Sequence, residues 1–108
     1  MVTVKIRIDV RPSKQKELLQ TITELTESQQ SLSGFRDIRI RVDAENAHQL
    51  TVLEEWDTSA DVAAYMQSDY FQILRGALRV LTTAAEIEIV PDDNNLNGST
   101  RPAQAIAL

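Results

Sequence analysis

The first ten residues decide most of what this chain can become. Val2, Val4, Ile6, Ile8 and Val10 alternate strictly with Thr3, Lys5, Arg7 and Asp9. Side chains on a strand point to opposite faces in turn, so a hydropathy period of two marks a strand with one apolar and one polar face. Such a sheet wants a covering layer on its apolar side. The next segment supplies one. Pro12 and Ser13 end the strand, with Ser13 a candidate N-cap. Leu18, Ile22, Leu25 and Leu32 then recur at helical spacing, with Leu19 beside them and Glu and Gln opposite. Gly34 can take the left-handed conformation that ends a helix, which predicts a helix of about five turns.

The period of two returns twice more before the second helical region. Ile38, Ile40 and Val42 alternate with Asp37, Arg39 and Arg41. Leu50, Val52, Glu54 and Trp56 mark one face of a third strand after the polar stretch from Asp43 to His48. A connection that short suits an antiparallel hairpin. Thr58 and Ser59 open a helical region whose first turn holds Asp61, where a negative charge meets the helix dipole favourably. Val62, Tyr65 and Met66 share a face; the pattern slips at Ser68-Asp69 and resumes with Tyr70, Ile73, Leu74, Ala77, Leu78 and Leu81. Two helical pieces with a break between them fit that slip. Ile87 and Ile89 mark a last strand, ended by Pro91. The order is β-α-β-β-α-β, an α+β, ferredoxin-like arrangement: a four-stranded antiparallel sheet with the helices on one face. Residues 1–91 form the domain, and 92–108 read as a flexible C-terminal tail.

Composition excludes several classes of function. With 43% apolar and 25% charged residues the chain is of globular rather than disordered type. Eleven Lys and Arg against sixteen Asp and Glu give a charge of −5, the wrong sign for a nucleic-acid partner. No cysteine is present, so thiolate metal sites and Cys nucleophiles are impossible, and a single His48 leaves carboxylates as the main metal ligands on offer. No metal is expected. No apolar run is long enough for a membrane span, and the Met-Val-Thr-Val-Lys start does not resemble a leader, so a cytoplasmic protein without a membrane partner is expected.

The polar face of the sheet carries Lys5, Arg7, Arg39 and Arg41 together with Asp9, Asp37, Glu55, Glu86 and Glu88. Two readings compete. The face is a solvated surface of weak cross-strand pairs, or two copies of it meet across a two-fold axis in a homodimer.

Leu53-Glu54-Glu55-Trp56-Asp57-Thr58, followed by Tyr65-Met66-Gln67-Ser68-Asp69-Tyr70-Phe71 and Leu74, resembles the antibiotic biosynthesis monooxygenase domain family. Members share the order of elements, a Glu-x-Trp ending to the third strand and a Ser-x-x-Phe break in the second helical region. The resemblance covers roughly Val2 to Val90. It implies a homodimer that pairs through the sheet faces into a dimeric α+β barrel. It also implies cofactor-independent oxidation of a quinol or polyketide-type phenol. The heme-degrading branch of the family fits poorly. Its heme-ligating His falls at Arg75, whose guanidinium has no lone pair to offer iron. Its Trp falls at Tyr65, and its first-strand Asn has no counterpart in Val2 to Val10. No cofactor is implied, and the partner is a small aromatic or phenolic molecule.

Within that reading Tyr65, Arg75 and Glu54 are the candidate catalytic residues, and Trp56, Tyr70, Met66 and Phe71 the candidate substrate-binding residues. Tyr65 and Tyr70 can hydrogen-bond a phenolic oxygen, Arg75 can stabilise a phenolate, and Trp56 can wall the pocket. Each also has a plain packing role available. Glu54 stands apart, because it shares the inward face with Leu50, Val52 and Trp56. A carboxyl there needs a partner or a raised pKa, and Arg75 or either tyrosine can supply the partner. His48, in the hairpin turn, lies away from the cleft between helices and sheet. Two further readings remain open: a non-catalytic dimeric module that binds a small aromatic ligand, and an isomerase or cyclase in which a carboxylate moves a proton.

Overall fold

The computed structural model describes residues 1–91 and 104–108, with the backbone alone for 104–107. Its elements are β1 Val2–Val10, α1 Gln15–Gln29, β2 Phe35–Val42, β3 Gln49–Trp56, α2 Ser59–Met66, α3 Asp69–Leu81, β4 Thr82–Pro91 and β5 Gln104–Ala107. The sheet runs β2-β3-β1-β4-β5, every neighbouring pair antiparallel. Its first four strands are the expected ferredoxin-like sheet, and α2 and α3 are the two expected helical pieces. Thr58 caps α2 by accepting from the Asp61 N–H at 3.1 Å, and Ser68 caps α3 by accepting from the Phe71 N–H at 3.3 Å. Two hydroxyl caps so close together account for the break between the helices.

Two expectations about α1 need correction. Helix α1 starts at Gln15, not at a capping Ser13, whose φ of 67° places it in the left-handed region; Lys14 precedes the helix with no side-chain cap. The helix also stops at Gln29, about four turns long. Leu32 lies past its end, its N–H bonded to the Gln29 carbonyl at 2.9 Å. Of the flexible tail expected over 92–108, residues 92–103 lie outside the described ones. The backbone of Gln104–Ala107 lies beside the sheet as β5, antiparallel to β4, with Glu86 opposite Ala107 and Ile89 opposite Gln104. Without it, that stretch of β4 would be an open edge of unpaired N–H and C=O groups, which a short extended segment satisfies whatever its composition.

The apolar face of β1 is buried from end to end, Val4 and Ile6 completely. It packs with Leu18 and Ile22 of α1, Leu50 and Val52 of β3, Phe71, Leu74 and Leu78 of α3, and Ile87 of β4. The cover stops short of the sheet's outer edge. Ile40 and Val42 of β2 are 37% and 49% exposed, so Ile40 is not under the helices as its alternation implied. On the opposite face Arg7 reaches Glu86 at 3.9 Å and Glu88 at 3.5 Å, and Arg39 reaches Asp37 at 3.3 Å. Exposed pairs of this kind add little stability. Among the described residues no helix is long and apolar enough to cross a membrane.

Gly34 is required at the turn into β2. Its φ is +83°, and its carbonyl accepts from the Asp57 N–H at 2.8 Å. A Cβ built there would overlap the Asp61 carboxylate. Gly34→Ala therefore combines a left-handed backbone with a steric clash, and we expect it to cost about 1–3 kcal/mol in urea-unfolding measurements.

Candidate functional site

The site is built on the alternation of β3. That alternation turns Leu50, Val52, Glu54 and Trp56 inward, and Glu54 is 1% exposed in the middle of the core. A carboxyl so placed loses its water and needs hydrogen bonds to offset the loss. Three donors converge on it. Gln29 Nε2 donates to Oε2 at 3.0 Å, the Tyr65 hydroxyl donates to Oε2 at 3.1 Å, and Trp56 Nε1 donates to Oε1 at 3.3 Å. Each donor comes from a different element: the last turn of α1, the α2 helix, and β3 itself two residues along.

An aromatic column holds these groups in register. Trp56 stacks on Tyr65, ring centroids 4.5 Å apart and planes 27° from parallel. Phe35 meets Trp56 edge-on at 5.3 Å, and Phe71 meets Tyr65 edge-on at 5.2 Å. Offset stacking and edge contacts are the arrangements that the ring quadrupole favours.

Glu54, Gln29 and Tyr65 form the polar wall of a cleft whose other lining includes Ile8, Ile22, Leu25, Leu74 and Tyr70. The void measures about 10 Å³, room for roughly one water. A ring-sized guest therefore has to displace part of the lining. Tyr70 is the least restrained candidate for that movement. It is half-exposed at the α2–α3 break, and its hydroxyl makes no hydrogen bond among the described residues. A second hollow of about 210 Å³ lies against Trp56 and Tyr65 from the side of Leu32, Ser33, Asp61 and Ala64.

Burial dominates the protonation of this cluster. Loss of solvent pushes the Glu54 carboxyl above its ordinary value, and the bonds from Gln29, Trp56 and Tyr65 offset part of that. Tyr65 is pushed upward by burial first, then by the Glu54 charge and their hydrogen bond, so it stays a hydroxyl donor at neutral pH. Because the folded state holds the Glu54 proton more tightly than the unfolded chain, this group's favourable contribution is complete below the ordinary carboxylate pKa. It is lost as pH rises through the raised one. Glu54→Gln has no such proton to lose. Wild type should therefore lose stability relative to Glu54→Gln on going from pH 4 to pH 8, as read from urea melts at each pH.

Glu54, Trp56 and Tyr65 thus meet as one hydrogen-bonded group, and Tyr70 lines the cleft beside them. Phe71 stands behind Tyr65 as a buried packing partner, and Met66 is half-buried against the core without lining the cleft. Arg75 is not brought to the cluster. It is half-buried on α3, does not line the cleft, and makes no ion pair or side-chain hydrogen bond among the described residues. Tyr65, not Arg75, is the partner Glu54 finds. His48 is exposed in the β2–β3 turn, where its carbonyl accepts from the Val10 N–H at 2.8 Å. Gln29 is the site residue that pattern reading missed. Its signal was present, since Leu18, Ile22, Leu25 and Gln29 fall on one helical stripe and only the last is polar. Among the described residues no group of three His, Cys, Asp or Glu is placed to hold a metal ion.

A family model described as antibiotic biosynthesis monooxygenase matches residues 1–75. The chain belongs to the antibiotic biosynthesis monooxygenase family. The matched stretch contains all four members of the cluster. Among solved structures, a conserved protein from Methanosarcina mazei Go1 is 26% identical, with a TM-score of 0.77 over 83% of this chain and 90% of that one. A mutant of SnoaB, a cofactor-independent oxygenase from Streptomyces nogalater, is 17% identical, with a TM-score of 0.76 over 88% of this chain and 95% of that one. A structure described as an antibiotic biosynthesis monooxygenase is 14% identical, with a TM-score of 0.69 over 100% of this chain and 96% of that one. At those identities the latter two share the fold of this monooxygenase-family domain. No curated protein sequence matches it.

Proposed function

We propose that this domain is a cofactor-independent monooxygenase acting on a quinol or polyketide-type phenol bound in the cleft between the helices and the sheet. The observation that carries the reading is Glu54, a fully buried carboxyl beside an apolar cleft, with its pKa raised by that burial. A base tuned upward suits removal of a weakly acidic proton near neutral pH. In this scheme Glu54 takes a proton from the bound phenol, and the Tyr65 hydroxyl and the Gln29 amide stabilise the charge as it moves between the two oxygens. The electron-rich anion then gives its electrons to dioxygen. One oxygen atom enters the ring as a quinone carbonyl, and the other leaves as water with the two hydrogens that the phenol loses, one from O–H and one from the oxidised carbon. The closed apolar lining keeps bulk water from the intermediate.

Membership in the family and the oxygenase fold of SnoaB support this reading. The same buried carboxyl also suits an isomerase or cyclase, which would need no oxygen. Oxygen uptake by the purified protein with a panel of hydroquinones and naphthols, corrected for autoxidation, separates the two. Uptake that Tyr65→Phe loses supports the oxygenase. Substrate conversion that proceeds equally under argon overturns it, and the absence of any conversion leaves a ligand-binding module as the better account.

The working unit we propose is a homodimer joined through the open sheet face. Basic groups there gather on β1 and β2, while Glu86 and Glu88 lie on β4, so a two-fold axis can set opposite signs against each other. A monomer mass in light scattering at micromolar concentration would exclude it.

A further inference from the structure

We infer that the Gln29 side-chain carbonyl selects the hydroxyl group of the guest, making Gln29 the specificity-determining residue of the cleft. The inference rests on reading the cleft as the site for a phenolic molecule. Gln29 closes the inward stripe of α1, is 3% exposed and lines the cleft. A buried amide is tolerated when both of its ends find partners. Here one end is accounted for and the other is not. Nε2 donates to Glu54 Oε2 at 3.0 Å, and that bond turns the amide oxygen away from the carboxyl.

No described residue donates to Gln29 Oε1. Yet no enclosed side-chain nitrogen or oxygen among the described residues lacks a partner. Oε1 is thus not an enclosed, unpartnered atom, and we place its open side against the cleft that Gln29 lines. The cleft thus presents an acceptor whose direction is locked by Glu54. Ile22, Leu25, Ile38 and Leu74 around it have no polar side-chain atom to compete.

A guest that fills the apolar space and rests its O–H on this oxygen, before the neighbouring Glu54 takes the proton in turnover, leaves nothing unpaired. Its methyl ether fills the same space but strands the amide oxygen against a methyl group. Sites that hydrogen-bond a hydroxyl reject analogues lacking the donor far more strongly than apolar pockets reject an extra methylene.

The test compares 1-naphthol with 1-methoxynaphthalene by titration calorimetry under argon, so that turnover plays no part. Wild type should bind the naphthol at least about ten-fold more tightly, and Gln29→Met, similar in length but without the amide, should reduce that preference to about two-fold or less. A preference unchanged in Gln29→Met, or absent from wild type, overturns the inference. Should Gln29→Met not fold, the wild-type protein still decides. The Gln29 side-chain amide resonances should shift with naphthol and stay in place with the ether; equal shifts with both count against it. Failure of both molecules to bind overturns the reading of the cleft along with the inference. Selective binding without any oxygen uptake overturns the oxygenase reading and leaves the role of Gln29 standing.

Discussion

Glu54→Gln is expected to lower oxygen-dependent turnover of a hydroquinone or naphthol by about 10²–10⁴-fold, the usual contribution of a positioned acid–base group. The amide cannot take a proton, but it keeps the shape of the carboxyl and one acceptor oxygen for the donors around it. Binding measured under argon should change much less than turnover. A loss confined to kcat would place Glu54 in the chemical step, whereas a change in KM alone would make it a packing and hydrogen-bonding residue. The measurement is steady-state oxygen uptake across pH. Wild type should lose activity at low pH, where Glu54 is protonated and no longer a base. The limb should lie above the ordinary carboxylate range because burial raises this group.

Trp56→Ala should be the most destabilising single change, at about 3–5 kcal/mol. The indole is 0% exposed, stacks on Tyr65 and meets Phe35 edge-on. Among the described residues it is also the one donor to Glu54 Oε1. Its removal opens a large cavity and leaves a buried carboxyl oxygen without that donor, two penalties that add. Against a typical stability of about 5–15 kcal/mol this is a large fraction. Trp56→Phe separates the two effects, since it restores most of the ring packing and not the N–H. It should recover more than half of the loss in urea melts. Recovery to wild-type stability would mean that the bond to Glu54 contributes nothing.

Periodicity carried the sheet and both helical regions because one face of each element is dry and the other wet, and that contrast is written locally. It carried Glu54 for the same reason. A carboxyl at an inward position of β3 stands out against Leu50, Val52 and Trp56 from the alternation alone. The ends of elements were harder to read. Ser13 has the chemistry of a cap, but the chain needs a left-handed residue at that point, and Gln15 begins the helix. Leu32 continues the apolar spacing of α1 although the helix has already ended, because a turn can deliver a leucine to the same core. The Ala105-Ile106-Ala107 segment has too little pattern to announce a strand. The unpaired edge of β4 decides its conformation.

Local pattern was enough to say which residues face inward, and with that the layer architecture, the aromatic and carboxyl character of the interior, and the family. Which of those inward residues touch was settled by packing in three dimensions. Tyr65 meets Glu54 and Arg75 does not, although both are near enough along the chain for either to have served. Gln29 meets Glu54 across 25 residues because α1 crosses the sheet with its last turn over β3. Burial depends on each residue's own place in a repeating pattern, which neighbours in sequence reveal. A hydrogen-bond partner depends on the angle and offset at which two elements pack, and no local pattern encodes those.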